Sequence, residues 1–215
     1  MHIVAIDGPA GSGKSSVSKA AAKKLGFGYL DTGAAYRALT WAVLENKMDI
    51  NGLLAAEIAQ KFEYSISLDP ENYWVKSFGV DVTEAIRLPV VAESVSQVAK
   101  EAEVRLYMKE LTRTLVSGSS LPGVVVEGRD IATVIFPDAQ TRILLTASEE
   151  VRLSRRSAEL PAGVSITEMV TKRDQTDSKV VDFMTPSAGV TLLDSTELSF
   201  DETVDAVIHL VRDLS

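Results

Sequence analysis

Residues 8–16 read GPAGSGKSS and follow HIVAID, a short apolar run that opens the chain. The string fits the pattern G-x-x-x-x-G-K-S/T, and it stands after a predicted strand and at the opening of a predicted helix, the setting in which that pattern binds phosphate. A strand, a glycine loop and a helix in this order belong at the carboxyl edge of a parallel sheet, so the stretch restricts the architectures open to the chain. The glycines let backbone N–H groups turn inward as an anion nest, and the positive end of the helix dipole adds to the attraction. Gly8, Pro9, Ala10, Gly11, Ser12, Gly13, Lys14, Ser15 and Ser16 are therefore the expected cradle of a nucleotide's phosphates. Lys14 would reach the β and γ phosphates, and the Ser15 hydroxyl would hold Mg²⁺ directly or through water. The alternative is a glycine-rich turn carrying a solvated lysine.

The rest of the chain keeps the same rhythm. Short apolar runs at 2–6, 27–31, 123–127, 141–146 and 190–194 alternate with amphipathic stretches, as in βα units around a mostly parallel sheet. The pattern predicts helices at 13–25, 34–47, 83–117 with a break before Pro89, 148–159, 165–178 and 200–213. Residues 62–82, FEYSISLDPENYWVKSFGVDV, break the alternation: β-forming residues are split by the turn formers of LDPEN and by Gly79, which predicts a small inserted antiparallel meander. SGSSLPG at 117–123 reads as an ordinary loop returning the chain to the sheet.

A chain of 215 residues with 46% hydrophobic and 24% charged content suits one globular unit rather than a disordered one. It contains no cysteine, so disulfides and thiolate metal sites are excluded. The start lacks a basic-then-apolar leader, and no uncharged stretch approaches the ~20 residues of a bilayer span, so the expectation is a cytoplasmic protein with no membrane partner. A net charge of −8 argues against a nucleic-acid surface, the adjacent basic pairs being only Lys23–Lys24, Arg155–Arg156 and Lys172–Arg173. Anions, if bound, must be bound locally.

Polar clusters follow three other predicted strands: Asp31-Thr32-Gly33 with Tyr36 and Arg37, Gly128-Arg129-Asp130, and Asp194-Ser195-Thr196. Asp-Thr-Gly alone is an ordinary helix cap with a flexible turn. Arg37 and Arg129, near strand ends of an acidic protein, read more simply as a second anion site than as solvated surface. Arg152, Arg155 and Arg156 on one predicted helix, and Arg173, Asp174 and Asp177 on another, are either a lid over transferring phosphates or a solvated, salt-bridged helix pair. Asn46-Lys47-Met48-Asp49 matches the guanine reader of GTP-binding switches, but it closes a helix soon after the phosphate loop, where Asn and Asp are capping and turn residues.

Taken together, IDGPAGSGKSS (6–16), LDTGAAYR (30–37), SVSQVA (94–99) with Arg105 downstream, VEGRDIATVIFPDA (126–139), KRDQTDS (172–178) and LLDST (192–196) make the sequence resemble bacterial cytidylate kinases over nearly its whole length. The phosphate loop is common to many families; the GRD stretch with SQVA and the meander is specific to this one. The resemblance implies an α/β fold with a five-stranded parallel sheet in the order 2-3-1-4-5 of P-loop kinases, flanked by helices. It implies one kinase unit over 1–215: a core at 1–47 and 100–215, a monophosphate-binding insertion at about 48–99, and a helical lid at about 152–180. It also implies ATP with Mg²⁺ as phosphoryl donor, CMP or dCMP as acceptor, and a monomer.

Carried over by position, Thr32, Arg37 and Arg129 would hold the acceptor phosphate, and Ser96, Arg105 and Asp130 would read cytosine. Arg173 and Asp177 would contact acceptor phosphate or ribose, and Lys14, Arg129, Arg156 and Arg173 would be the catalytic cations. Val180, beside Lys179, stands where many family members have a further arginine, which bears on the reach of the lid. An acceptor phosphate oxygen is already anionic at neutral pH, so this chemistry needs positioning and charge neutralisation rather than a general base. The chain accordingly carries only His2 and His209, at its termini. Within the same fold, a uridylate, adenylate or small-metabolite kinase is the competing expectation; a non-catalytic nucleotide-binding module would not need the second arginine cluster.

Overall fold

The computed structural model describes residues 1–159 and 185–213. The predicted helix at 165–178, with Arg173 and Asp177, lies outside them, as does Val180. The chain divides into two compact units, Met1–Leu30 with Leu121–Ser215, and Asp31–Ser120.

The first unit is built on a five-stranded parallel sheet. Its strands are β1 (His2–Asp7), β2 (Gly28–Asp31), β6 (Gly123–Gly128), β7 (Thr141–Thr146) and β8 (Thr191–Asp194), in the order β2-β6-β1-β7-β8. Counting only these strands, that is the expected 2-3-1-4-5. Val4, Ala5 and Ile6, Val124 to Val126, and Ile143 and Leu145 are all fully buried, the continuous apolar runs of strands covered on both faces. The register sets Asp7 opposite both Gly128 and Leu144, and Thr146 opposite Asp194, so the loops leaving β1, β6, β7 and β8 emerge at one carboxyl edge. The central strand β1 has neighbours whose connections run to opposite sides, the position where such sheets open a ligand crevice.

Helix α1 (Lys14–Leu25) follows the loop after β1 and buries Val17, Ser18, Ala21 and Ala22. Helix α6 (Glu149–Glu159) follows β7, and α7 (Phe200–Asp213) buries Val204, Val207, Ile208 and Val211, one stripe at helical spacing. A π-helical turn, Ile131–Ile135, follows β6.

The second unit contains α2 (Thr32–Leu44), α3 (Ala55–Lys61), a three-stranded antiparallel sheet of β3 (Tyr64–Ile66), β4 (Val75–Ser77) and β5 (Val80–Asp81), then α4 (Pro89–Ala99) and α5 (Ala102–Ser117). The meander is the one expected from the sequence. Phe78 and Gly79, at φ 50° and 72°, make the two-residue turn between β4 and β5, where both positions need positive φ. Phe62 gathers Tyr64, Phe78 and Tyr107 within 5.7 to 6.2 Å between ring centroids. Helix α2 buries the small residues Ala34, Ala35, Ala38 and Ala42 and packs against α4, α5 and β4.

Three details correct the sequence expectation. Residues 83–117 break before Pro89 as expected, Leu88 being extended and Pro89 taking the first position of α4, but they break a second time, Glu101 being extended before α5. Helix α3 was not foreseen; it is short, its preceding residue Leu54 is no capping type, and Glu57 and Glu103 instead accept from the backbone N–H groups of Leu54 and Ala55. Helix α2 starts at Thr32 rather than 34, because Asp31 caps it. The Asn46-Lys47-Met48-Asp49 segment is a turn: Asn46 takes φ 54°, and Asp49 accepts from the backbone N–H of Asn51. Among the described residues no helix is long and apolar enough to cross a membrane.

Candidate active site

The loop between β1 and α1 has the conformation its sequence predicts. Gly11 and Gly13 lie at φ 75° and 84°, in the left-handed region that side chains disfavour, and Ser12 N–H closes a turn onto the Pro9 carbonyl at 3.4 Å. The carbonyls of the loop are tied back by guanidinium groups. Arg129 Nη1 donates to Gly8 O at 2.8 Å, Arg152 Nη1 to Ala10 O at 2.9 Å and Arg155 Nη1 to Ser12 O at 3.2 Å. With alternate carbonyls engaged in this way, the loop has the backbone arrangement of an anion nest, ahead of the positive end of α1. Lys14 Nζ lies 3.4 Å from Pro9 O, half-buried on the first turn.

Arg152 and Arg155 thus correct one expectation. Their helix was expected to present them to the transferring phosphates or to solvent; both instead grip the loop's carbonyls, and Arg152 is buried. Arg156 lies on the same helix, α6, but its side chain is outside the described set.

Two carboxylates to which the sequence alone assigns no role stand beside the loop. Glu127, on β6 and 2% exposed, accepts from Ser15 Oγ at 2.6 Å and from Tyr29 Oη at 3.3 Å. Asp7, at the end of β1, accepts from the backbone N–H groups of Ile131 at 2.8 Å and Ala132 at 2.9 Å. Burial pushes the Asp7 carboxyl up to about 6, with the neighbouring Asp130 adding to the rise, while the two backbone bonds and Lys14 oppose it. The signal for Glu127 was its place: a charged residue inside an otherwise apolar strand, at the carboxyl edge.

The Ser15 hydroxyl and the Glu127 carboxylate are hard oxygen donors at the mouth of the phosphate loop. Among the described residues no three His, Cys, Asp or Glu side chains cluster as a metal cage. Mg²⁺ in phosphoryl-transfer sites takes one or two protein oxygens and completes its shell with phosphate and water, so this donor set fits that ion.

In the second unit, Asp31 serves two purposes. Its Oδ1 accepts from Ala34 N–H at 3.0 Å and caps α2, while Oδ2 accepts from Arg37 Nη2 at 2.6 Å. The pair is largely buried, the side chains 15% and 6% exposed. Burial pushes the Asp31 carboxyl up, but the charge and hydrogen bond of Arg37, helped by Arg87, outweigh it and hold the group below the usual carboxylate range. Tyr64 of the meander is raised well above an ordinary tyrosine, by burial first and by Tyr73 next. Thr32 is buried at the first position of α2; Ser96 on α4 and Arg105 on α5 are half-buried. Arg129 and Asp130 are half-buried in the first unit, immediately after β6. The third strand-end cluster is knitted tightly: Ser195 is fully buried, and Asp194 accepts from Thr196 through both its N–H and its hydroxyl.

A family model described as Cytidylate kinase matches residues 4–213. Proteins named Cytidylate kinase from Streptomyces coelicolor and Streptomyces avermitilis are 46% and 44% identical, each alignment covering 98% of this chain and 93% of the relative. One of the same name from Cutibacterium acnes is 41% identical over 97% of this chain and 95% of its own length. Among solved structures, TT1252 from Thermus thermophilus aligns over 100% of this chain and 98% of its own at a TM-score of 0.52 and 22% identity, a likeness of fold.

Proposed function

The chain belongs to the cytidylate kinase family, and on that premise we propose that it transfers the γ-phosphoryl group of ATP to CMP and dCMP, giving ADP with CDP or dCDP. The observation that carries the reading is the bond from Arg129 to Gly8 O, which ties the Arg129-Asp130 segment directly to the phosphate loop. A side chain assigned to the acceptor and the cradle assigned to the donor are thereby one hydrogen-bonded assembly.

In this reading the loop's N–H groups and Lys14 hold the β and γ phosphates of ATP, with Lys14 following the migrating group. A CMP phosphate oxygen forms a bond to the γ phosphorus as the bridging oxygen bond breaks and the electron pair leaves on ADP. Arg129, Arg37 and Thr32 hold the acceptor phosphate; Arg156, Arg173 and Asp177 are assigned by resemblance to the lid and acceptor side. Asp130 accepts from the cytosine amine and Arg105, with Ser96, donates to the ring. Mg²⁺, held from Ser15 with Glu127 behind it, would neutralise phosphate charge when bound. Neither histidine is needed: His209 is exposed on α7 beside Asp213, and His2 bonds Thr141 within the sheet.

The same reading makes the protein a cytoplasmic monomer acting on free nucleotides. A coupled assay of ADP release with ATP and Mg²⁺ against CMP, dCMP, UMP, AMP and GMP tests it. CMP and dCMP are expected to be used with the highest kcat/KM; equal use of UMP or AMP would overturn the assignment.

A further inference from the structure

We infer that Arg155 is a positioning residue for the donor nucleotide, a staple that sets the span between the phosphate cradle and the wall that receives the donor's base. One guanidinium joins two loops of the carboxyl edge. Its Nη1 donates to Ser12 O of the phosphate loop at 3.2 Å and to Ser195 Oγ at 3.0 Å, and its Nη2 donates to Ser195 O at 2.9 Å. Ser195 opens the loop after β8. It is itself anchored, because its N–H and its hydroxyl both donate to Thr146 O at 2.9 Å. Thr196 beside it accepts from the Ser148 N–H at 2.8 Å, closing the loop onto the start of α6.

Strand order says why this staple concerns the donor. The phosphate loop leaves the central strand β1, whose neighbours are β6 on one side and β7, then β8, on the other. The inference rests on the proposed assignment of Arg129 and Asp130, which follow β6, to the acceptor. With the β6 side taken, the donor's ribose and base extend from the cradle over the ends of β7 and β8, toward Ser195. A nucleotide triphosphate must then satisfy both loops at once, and their separation is held by Arg155. Its planar fork reaches three acceptors in two directions, which the single ammonium of a lysine cannot reproduce.

Titration calorimetry on the full chain with ATP, inorganic tripolyphosphate and CMP, with Mg²⁺ present, separates the possibilities. Arg155→Lys is expected to weaken ATP about tenfold, the loss of one charge-assisted hydrogen bond, while tripolyphosphate and CMP change by less than about threefold. KM for ATP should rise with kcat nearly constant. Ser195→Ala, a smaller change, should weaken ATP about threefold and add nothing in the Arg155→Lys background, since both act through one staple. If Arg155→Lys does not fold, Ser195→Ala alone decides by the same ratio of ATP to tripolyphosphate. Equal losses for ATP and tripolyphosphate, equal losses for ATP and CMP, or no change in ATP would each overturn the inference. Lys14→Ala serves as the control: it should weaken ATP and tripolyphosphate together, and a Lys14→Ala protein with unchanged affinity for both would refute the phosphate-loop reading itself, whatever Arg155 does.

Discussion

Replacing Asp7 with asparagine removes a charge that the fold holds at a cost. The carboxyl is 4% exposed and accepts two backbone N–H groups of the π-helical turn that follows Arg129 and Asp130. Its folded value, about 6, lies above its ordinary 3.8, so the folded protein holds this proton more tightly than the unfolded chain does. The stabilisation that protonation provides is fully present below pH 3.8 and is lost as pH rises through 6; above that the ionised group costs about 3 kcal/mol, from roughly two pKa units at 1.36 kcal/mol each. Asparagine carries no such slope. It offers one acceptor oxygen to two N–H groups, a loss of about 1–3 kcal/mol that does not vary with pH. Urea unfolding of both proteins at pH 4, 5, 6 and 7 is the assay. The stability of Asp7→Asn relative to the parent should improve by about 2 kcal/mol between pH 4 and pH 7. Parallel curves, or a relative loss on raising the pH, would refute the claim that Asp7 is ionised at a cost in the folded state.

Gly8→Ala should fail by sterics: a Cβ there overlaps the Leu145 carbonyl oxygen of β7, backbone that cannot yield, and a loss of about 2 kcal/mol or more is expected in thermal melts, where an unchanged Tm would count against the packing described. Arg37→Lys keeps the charge but not the planar guanidinium that donates to Asp31, so KM for CMP should rise about tenfold while cytidine binding is spared; equal losses for both would remove Arg37 from the acceptor phosphate. Lys14→Ala should lower kcat roughly 100-fold or more while circular dichroism shows an intact fold. Asp130→Ala should cost CMP about 2 kcal/mol of kcat/KM, roughly 30-fold, and UMP much less, because uracil presents an oxygen where cytosine presents an amine; an unchanged CMP-to-UMP ratio would place base choice elsewhere.

The local sequence was enough for several features governed by short-range rules. The phosphate loop was readable because glycine is needed where φ is positive, and Gly11 and Gly13 do take that conformation. The core strands were readable because strands covered on both faces are continuously apolar. The meander announced itself through turn formers. The order of the strands came from the family likeness, since periodicity alone does not rank neighbours in a sheet. At Asp31 the helix cap was readable from the sequence but the second partner was not: one carboxylate oxygen accepts from the Ala34 N–H and caps α2, while the other accepts from Arg37.

What only the tertiary structure decided are the contacts whose partners lie far apart in the chain. Ser15 and Glu127 are 112 residues apart, and Arg152 and Ala10 are 142 apart. Helical periodicity tells that Arg152 and Arg155 share α6, but not that the helix is set down with both guanidiniums on the carbonyls of a loop near the start of the chain. Likewise α3 is held at its start in part by Glu103, 48 residues on, which accepts from the Ala55 N–H. A propensity is a property of neighbours in sequence; a hydrogen bond across a sheet edge exists only once the sheet has brought its strand ends together.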